Sequence, residues 1–317
     1  MAFDLSVFNK QVYAAVTETV DQHVDLFNEA SGGAITLTPS LDNSGDYSVV
    51  ASFKRIGGLV RRRNVYNGAD DVTPARLTQH ENRSVKIAAG TPPIEFEQAQ
   101  YDWLCQNPAS AALIIGEQLA KALMADIINT AVAGAKAALS GVSALTHTTS
   151  SALTFGDLVK GAGKFGDRQG DLVAWVAHSK AMTDLYSSAV ANAERLFVYG
   201  SVQVVRDPFG RVLIMTDSDA LFDSGSNQYY TIGLAAGGIM VEQNGDFRAN
   251  LQSVNGKENI QNSYQAEWSY NLGLRGFSWN TASGGAAPSN AAVATTANWT
   301  KTASGDKDTA GVLVVSK

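Results

Sequence analysis

The residues that could do chemistry are few and stand far apart in the chain. The four histidines show no metal-ligand spacing, and neither a CxxC nor an HExxH motif occurs. The sequence also has no GxSxG nucleophile elbow and no Walker phosphate loop. Asp217, Asp219 and Asp223 form a loose acidic cluster, which we interpret as turn and cap residues rather than as a metal site. The sequence therefore predicts no catalytic residue, no metal ligand and no cofactor.

Two further candidates have structural explanations. Residues 161–166, GAGKFG, match the GxGxxG pattern by letter, but they end a predicted helix ahead of a predicted strand. A dinucleotide site needs the opposite order, a strand followed by the amino end of a helix. The one cysteine, Cys105, stands beside Trp103 and Leu104, an apolar setting that favours a buried structural role over nucleophilic catalysis. A hydrolase or another small-molecule enzyme is an alternative hypothesis, but the sequence offers no nucleophile or metal-ligand motif that would support it.

The composition is that of a folded protein with an acidic balance. The 317 residues are 45% hydrophobic and 17% charged, enough to bury a sizeable core in one or two domains. The net charge of -6 and the pI of about 5.2 argue against a general nucleic-acid-binding surface. A single cysteine excludes an intrachain disulfide, and we expect neither a signal peptide nor a membrane span. The low charged fraction favours a protein that buries surface against partners.

A long predicted helix at residues 108–139 organises the elements around it. Asn107 is a suitable N-cap, Pro108 suits the first helical position, and Gly141 can end the helix in the left-handed conformation. At 1.5 Å per residue the helix is roughly 48 Å long and needs a partner of matching length. Small and apolar residues that we expect to pack against a flat sheet share one face: Leu113, Gly116, Ala120, Leu123, Ile127, Ala131, Gly134 and Ala138.

The chain before this helix supplies another helix and a hairpin. Residues 1–30 place valines on one face of an amphipathic helix, which either docks on its own chain or reaches a neighbouring subunit as an arm. Residues 47–90 contain two strand patterns separated by a polar interval, and they predict a long two-stranded excursion with little core of its own. Because an isolated hairpin is marginal in water, we expect this one to rest on another surface.

The predicted hairpin contains the residues that we single out as a candidate subunit interface. They are Lys54, Arg55, Arg61, Arg62, Arg63 and Lys86. Three interpretations stay open: a solvated face, a contact with carboxylates of a neighbouring subunit, or binding of nucleic acid. Of the two functional interpretations we favour the subunit contact, because arginine is a preferred interface cation and the chain as a whole is acidic.

The pattern of predicted helices and strands changes at two points after the long helix. Residues 152–241 alternate helices with apolar strands such as DLVAWVA at 171–177, and they predict a compact α/β unit. Residues 242–280 predict further paired strands. Residues 281–317 are rich in Ala, Ser, Thr, Gly and Asn, and they predict a weakly structured tail. Its apolar end either stays disordered or adds a strand to another subunit's sheet. The predicted fold class is α+β.

This order of elements resembles the major capsid proteins of tailed bacteriophages, which share the Hong Kong 97 fold. Two stretches also look like phage coat-protein sequences: VYAAVTETV with FNEASGGAI near the start, and SYNLGLRGFSWNTASGGAAPSNAA near the end. The resemblance implies six parts: an N-terminal arm (1–46), an extended β-hairpin loop (47–90), a peripheral domain with a long spine helix (91–151), an α/β axial domain (152–241), strands that complete the peripheral domain (242–280) and a C-terminal tail (281–317).

The resemblance further implies a structural protein rather than an enzyme. Such a protein assembles with itself as hexamers and pentamers into an icosahedral shell around double-stranded DNA, without sequence-specific DNA binding and without a membrane. Its extended loop is expected to lie over the neighbouring subunit. Scaffolding, portal and decoration proteins are further candidate partners, and the shell is expected to assemble in the host bacterial cytoplasm as the capsid of the virion. An encapsulin-type nanocompartment shell is the alternative function.

Overall fold

The structure is a computed structural model that describes residues 5–38, 45–53, 60–63, 65–66, 71–97, 100, 102–103, 106–188, 197–199, 202–206, 210–255, 258 and 261–317. Within them the helices are α1 (Leu5–Ala30), α2 (Pro108–Ser140), α3 (Phe155–Gly163), α4 (Ser179–Ser188), α5 (Thr281–Gly284) and α6 (Asn290–Val293). The strands are β1 (Ile35–Thr38), β2 (Tyr47–Phe53), β3 (Gln79–Gly90), β4 (Ile94–Phe96), β5 (Thr146–Thr148), β6 (Leu172–Ala177), β7 (Phe197–Tyr199), β8 (Val202–Arg206), β9 (Val212–Met215), β10 (Phe222–Asp223), β11 (Gln228–Ala235), β12 (Ile239–Gln243), β13 (Arg248–Val254), β14 (Gln261–Leu274), β15 (Phe277–Trp279), β16 (Trp299–Lys301) and β17 (Gly311–Ser316).

Most of these strands belong to two large sheets. The first sheet has the order β1-β12-β14-β3-β2, with β13 and β4 also paired to β14. The second sheet has the order β5-β17-β11-β6-β9-β8-β7, with β10 also paired to β11. β15 and β16 pair with each other apart from both. The mixture of long helices with two largely antiparallel sheets confirms the α+β class.

Helix α2 confirms the predicted long helix, and it contacts strands of both large sheets. Its carboxyl half is buried on nearly every side, as an element between two sheets must be. Pro108 begins the helix as expected, but Asn107 makes no side-chain capping bond and Gly141 has a right-handed φ of -70°. Asn107 therefore holds the predicted N-cap position and the helix ends at Gly141 as predicted, but the predicted left-handed conformation of Gly141 is wrong.

The small residues of α2 face two different neighbours. A Cβ at Gly134 would lie 3.1 Å from Leu272 on β14, which confirms close packing against a sheet. A Cβ at Gly116 would lie 2.8 Å from the Cβ of Ala15, so this glycine admits helix α1 and not the sheet that the sequence predicted. The sheet partner therefore covers the carboxyl half of α2, while a helix covers part of its amino half.

Helix α1 docks on its own chain, which decides between the two interpretations of residues 1–30. Val12, Val16 and Val20 are buried on the face that packs along α2, and β1 then pairs in parallel with β12. The amide nitrogen of Asn28 donates to the carbonyl oxygen of Leu37, and the Asn28 Oδ1 accepts from the Leu37 N–H, both at 2.8 Å. This side chain thereby satisfies backbone groups on the outer edge of β1.

The predicted weakly structured tail at residues 281–317 is wrong. The segment contains α5, α6, β16 and β17, and β17 lies inside the second sheet, antiparallel to β11 and parallel to β5. Val312, Leu313 and Val314 are fully buried there, because an apolar run is stabilised where both faces of a sheet are covered. The second sheet thus begins with β5, ahead of residue 152, and takes an interior strand, β17, from the tail. β12, which contains residue 241, belongs to the first sheet.

The buried position of β17 between β5 and β11 predicts a large effect of truncating a side chain there. Leu313→Ala should lower the free energy of unfolding by about 2–5 kcal/mol, because the removed methyl groups leave a cavity between the strands and the helices that cover them. Leu77→Ala is the matched control, since Leu77 is exposed, and it should change stability by less than about 0.5 kcal/mol. Denaturant unfolding of unassembled subunits measures both, and equal effects would contradict the buried position of β17.

Helix α3 begins with a capping box at the predicted cap Thr154, and the Asp157 carboxylate of that box contacts the second sheet. The Thr154 hydroxyl accepts from the Asp157 N–H, and the Asp157 carboxylate accepts from the N–H and the hydroxyl of Thr154. His147 of β5 lies 3.4 Å from the same carboxylate. Burial alone raises the pKa of Asp157, but the hydrogen bonds from Thr154 and His147 and the ammonium of Lys160 outweigh it and hold the pKa below its usual 3.8.

Removing this carboxylate should weaken the subunit in a pH-dependent way. Asp157→Asn is expected to cost about 1 kcal/mol of stability at pH 7, the usual size of a lost helix cap. Because the folded state lowers the pKa of Asp157, its contribution is fully present above pH 3.8 and is lost as the pH falls through the folded-state pKa. Denaturant titrations at pH 7 and pH 3 measure this against exposed Glu117→Gln as control. A wild-type advantage that grows toward pH 3 would contradict the assignment.

Candidate subunit-contact surfaces

The basic residues singled out from the sequence do not form one cluster. Lys54 and Arg55 lie outside the described residues. The arginines at 61–63 are exposed beyond the paired part of the hairpin. Lys86 instead lies within β3, opposite Asn271 of β14. The structure therefore keeps the three arginines together and separates Lys86 from them, and the role of all these residues in a subunit contact stays a prediction.

Lys86 belongs to a polar network in the first sheet. Its Nζ lies 3.7 Å from the Asp246 carboxylate, which accepts hydrogen bonds from the N–H and the hydroxyl of Ser269. The amide of Asn244 donates to the Ser269 hydroxyl, and Asn244 and Asn271 donate to each other. Asn244, Ser269 and Asn271 are buried, so each needs these partners. Contacts within the chain thus account for the position of Lys86.

The hairpin is held at its base by the first sheet and by the C-terminal segment. β2 and β3 pair antiparallel, which confirms the predicted two-stranded excursion, and the inner half of β3 also pairs with β14. The N–H of Arg83 donates to the Ser278 hydroxyl at 3.0 Å, and the Thr302 hydroxyl donates to Asn82 Oδ1 at 2.6 Å. These bonds fix the direction in which the hairpin leaves the subunit.

The distal hairpin, which we define as residues 60–79, exposes apolar side chains. Every residue of it that the structure describes is exposed. Large apolar side chains among them are Val60, Val65, Tyr66, Val72 and Leu77. Apolar groups collected in this way mark an interaction surface. Sequence periodicity does not reveal these side chains, because they follow neither a helical nor a strand period; the available signal was their presence in an interval that has no core to bury them.

A second apolar surface lies at the amino end of α2, and we call it the groove. It has a volume of about 550 Å³, and its apolar lining consists of Ile94, Phe96, Trp103, Ala111, Ile114 and Ile115. Glu95 and Gln100 also line it. Leu113, on the same turn of α2, is 53% exposed. Its predicted place on the packed face is therefore wrong, because α1 packs on the face of this part of the helix that carries Gly116.

The acidic candidates are structural, as predicted. Asp219 opens the short turn Asp219–Leu221. The Asp223 carboxylate accepts from the Ser226 hydroxyl and the Gly225 N–H, and these two bonds lower its pKa. No group of three or more His, Cys, Asp or Glu side chains within the described ranges is placed to hold a metal ion. The GAGKFG stretch leads from α3 toward β6, which confirms a helix-to-strand connection.

The length and apolar character of the described helices bear on whether any of them could cross a membrane. Although α1 and α2 are long, none of the helices that the structure describes combines the length and the apolar character needed to cross a bilayer.

Solved structures place this architecture among phage capsid proteins. The chain is similar to a protein of the head of Helicobacter pylori bacteriophage KHP40, with a TM-score of 0.52 and 8% identity over 92% of this chain and 88% of that one. It is also similar to a protein of the acid-stable capsid of Helicobacter pylori bacteriophage KHP30, with a TM-score of 0.50 and 9% identity over 89% and 86% of the two chains. Identities this low show the fold alone, which is the phage capsid fold of the Hong Kong 97 type.

The family follows from the sequence itself. Residues 4–313 match the model of the Gp13-like family, described as major capsid protein 13-like, and the chain belongs to this family. It is therefore a structural protein of the phage capsid, which confirms the resemblance to tailed-phage major capsid proteins. No curated protein sequence matches the chain. Nothing in the family or in the two structures supports the encapsulin-type alternative.

Proposed function

We propose that copies of this chain assemble as hexamers and pentamers into an icosahedral shell that encloses phage double-stranded DNA. The capsid family supports self-assembly, and one observation supports the way in which subunits meet: every described residue of the distal hairpin is exposed. A strand pair without a core is marginal in water. Burial of its apolar side chains on a neighbouring subunit removes that surface from water and stabilises both chains.

The two sheets supply the parts of such a shell. We assign the first sheet, with α2 as spine helix, to the peripheral domain, and the second sheet, including β5 and β17, to the axial domain. Residues 1–46 then correspond to the N-terminal arm of the family, with α1 docked on its own chain, and residues 47–90 act as the extended loop. Axial domains meet at the centre of each hexamer or pentamer, and each loop lies over the neighbouring subunit.

The charge of the chain suits a container for DNA. A net charge of -6 gives the inner wall little general attraction for phosphates, so DNA is enclosed without tight or sequence-specific binding. The arginines at 61–63 then pair with carboxylates of a neighbouring subunit. We further propose scaffolding, portal and decoration proteins as partners, assembly in the host bacterial cytoplasm, and no catalytic turnover.

Electron microscopy tests the proposal directly. The chain is expressed alone and together with the other head proteins of its phage, and the particles are imaged and their contents extracted. We expect closed icosahedral particles with sixfold and fivefold clusters of subunits, and double-stranded DNA inside mature virions. A subunit that stays monomeric with every partner, or a particle filled with cargo protein, would overturn the proposal.

The hairpin arginines should matter for assembly and not for folding. Replacing Arg61, Arg62 and Arg63 with Ala is expected to weaken each subunit contact roughly three- to hundredfold and to lower the yield of particles accordingly, since three exposed charge pairs at about 0.2–1 kcal/mol each total about 0.6–3 kcal/mol and about 1.4 kcal/mol corresponds to tenfold. Subunit stability should change by less than about 0.5 kcal/mol, because these residues are exposed.

The matched control removes three other exposed charges. Lys10, Lys121 and Lys164 are exposed outside the hairpin, and their replacement with Ala should leave particle formation closer to that of the wild type. Particle yield by sedimentation and subunit melting measure the two effects separately. If the arginine variant melts early while its folded fraction assembles normally, the contact assignment is wrong.

A further inference from the structure

We propose that His178 makes the start of helix α4 sensitive to pH: the neutral imidazole caps the helix, and the protonated imidazole releases the cap and moves toward Asp217. The switch lies within a single subunit, so it does not depend on assembly into a shell. It follows from three observations: the hydrogen bonds of the imidazole, the charges around it and the different cap of the neighbouring helix α3.

His178 occupies the N-cap position of α4. Its carbonyl oxygen accepts the N–H of Met182, the first hydrogen bond of the helix, and its Nδ1 accepts the N–H of Lys180 at 3.2 Å. A capping side chain needs an acceptor atom, and histidine has one only while it is neutral. Because Nδ1 accepts, the proton of the neutral ring lies on Nε2. This hydrogen bond thereby fixes the tautomer of the imidazole.

The imidazole packs against two aromatic rings and lies near one carboxylate. The ring centres of Phe222 on β10 and Tyr229 on β11 lie 6.2 and 5.3 Å from that of His178. The Nε2 atom lies 4.0 Å from Oδ1 of Asp217, which follows β9. Only 21% of the His178 side chain is exposed, whereas 76% of the Asp217 side chain is exposed. The carboxylate therefore has room to approach the ring.

The charges on α4 beside the imidazole balance each other. The Lys180 ammonium lies 2.5 and 2.6 Å from the two carboxylate oxygens of Asp184, and it is 6.0 Å from the centre of the Tyr229 ring. The Tyr229 phenol is a further titratable group packed against the imidazole. A positive charge on the imidazole is therefore balanced by Asp217, on the side opposite to the helix.

Protonation of His178 exchanges one contact for another. The protonated ring carries a hydrogen on both nitrogens, so Nδ1 no longer accepts from Lys180. A positive charge at the amino end of a helix is also opposed by the helix dipole, while the Asp217 carboxylate attracts it. Histidine side chains change charge between about pH 5 and 8. We therefore expect the first turn of α4 to open as the pH falls through this range.

Helix α3, which contacts β5 and β17 of the second sheet, has a cap that does not respond in this range. Thr154 and Asp157 form its capping box. Although burial raises the pKa of Asp157, the hydrogen bonds from Thr154, His147 and Lys160 hold it below the usual 3.8. This carboxylate stays ionised above that pH. One chain thus contains a helix start that responds to mild acid and one that does not.

Hydrogen–deuterium exchange of unassembled, full-length subunits tests the switch. Rates are measured at about pH 7.5 and 5.5 and corrected for the intrinsic pH dependence of exchange. The protection of residues 180–184 should fall about fivefold at the lower pH, the size expected for a lost cap, while the first turn of α3 keeps its protection. His178→Asn retains an acceptor at the N-cap but takes up no proton, so residues 180–184 should be equally protected at both pH values. No loss in the wild-type chain, an equal loss in α3, or an equal loss in the Asn variant overturns the proposal.

Imidazole nitrogen signals test the geometry independently. Subunits are labelled with 15N-histidine, and the signals of His178 are identified by their absence from the spectrum of the Asn variant. We expect an unprotonated Nδ1 and a protonated Nε2 at about pH 7.5, and protonation of both nitrogens as the pH falls toward about 5.5. The opposite tautomer at the higher pH overturns the cap assignment. An imidazole that stays neutral at the lower pH overturns the switch.

Discussion

Helix α2 packs against both large sheets, so the arrangement of the subunit depends on the contacts of its carboxyl half. Gly134 allows β14 to approach from one side. From the other, Lys136 places its Nζ 4.0 Å from the centre of the Tyr230 ring on β11. Burial lowers the pKa of this lysine, and the Asp223 carboxylate opposes the shift. A change in either contact would alter the position of one sheet relative to the other.

The sequence could predict the elements whose patterns are local. Helix α2 and the buried strand β6 follow from apolar spacing within one segment, and Thr154 follows from the chemistry of helix caps. Strand β17 could not be placed in the same way, because its apolar residues are preceded by a polar segment and its two neighbours in the sheet come from much earlier in the chain. The local sequence of a strand does not identify the distant strand with which it will pair.

The candidate subunit-contact residues show the same difference between local patterns, which the sequence reveals, and contacts between distant segments, which it does not. The arginines at 61–63 were recognised because they are consecutive, and Lys86 was grouped with them because it lies in the same predicted hairpin. The sheet separates them, since β3 passes from the exposed hairpin into the interior, where Asp246 is beside Lys86. The groove was missed altogether because β4, Trp103 and α2 each contribute a few residues to it. Its apolar character exists only after these segments have been brought together.

The hydrogen bonds of Asn28 have a consequence for how a sheet could grow. A side-chain amide that donates to and accepts from Leu37 takes the place of an incoming strand, so the outer edge of β1 is closed to backbone pairing. At the opposite end of the sheet, no strand among the described residues pairs with the outer edge of β2. Among the described strands, the β1 edge is therefore protected against strand addition while the β2 edge has no partner strand. Aggregation that grows by adding strands to both edges of a sheet is hindered at the β1 edge.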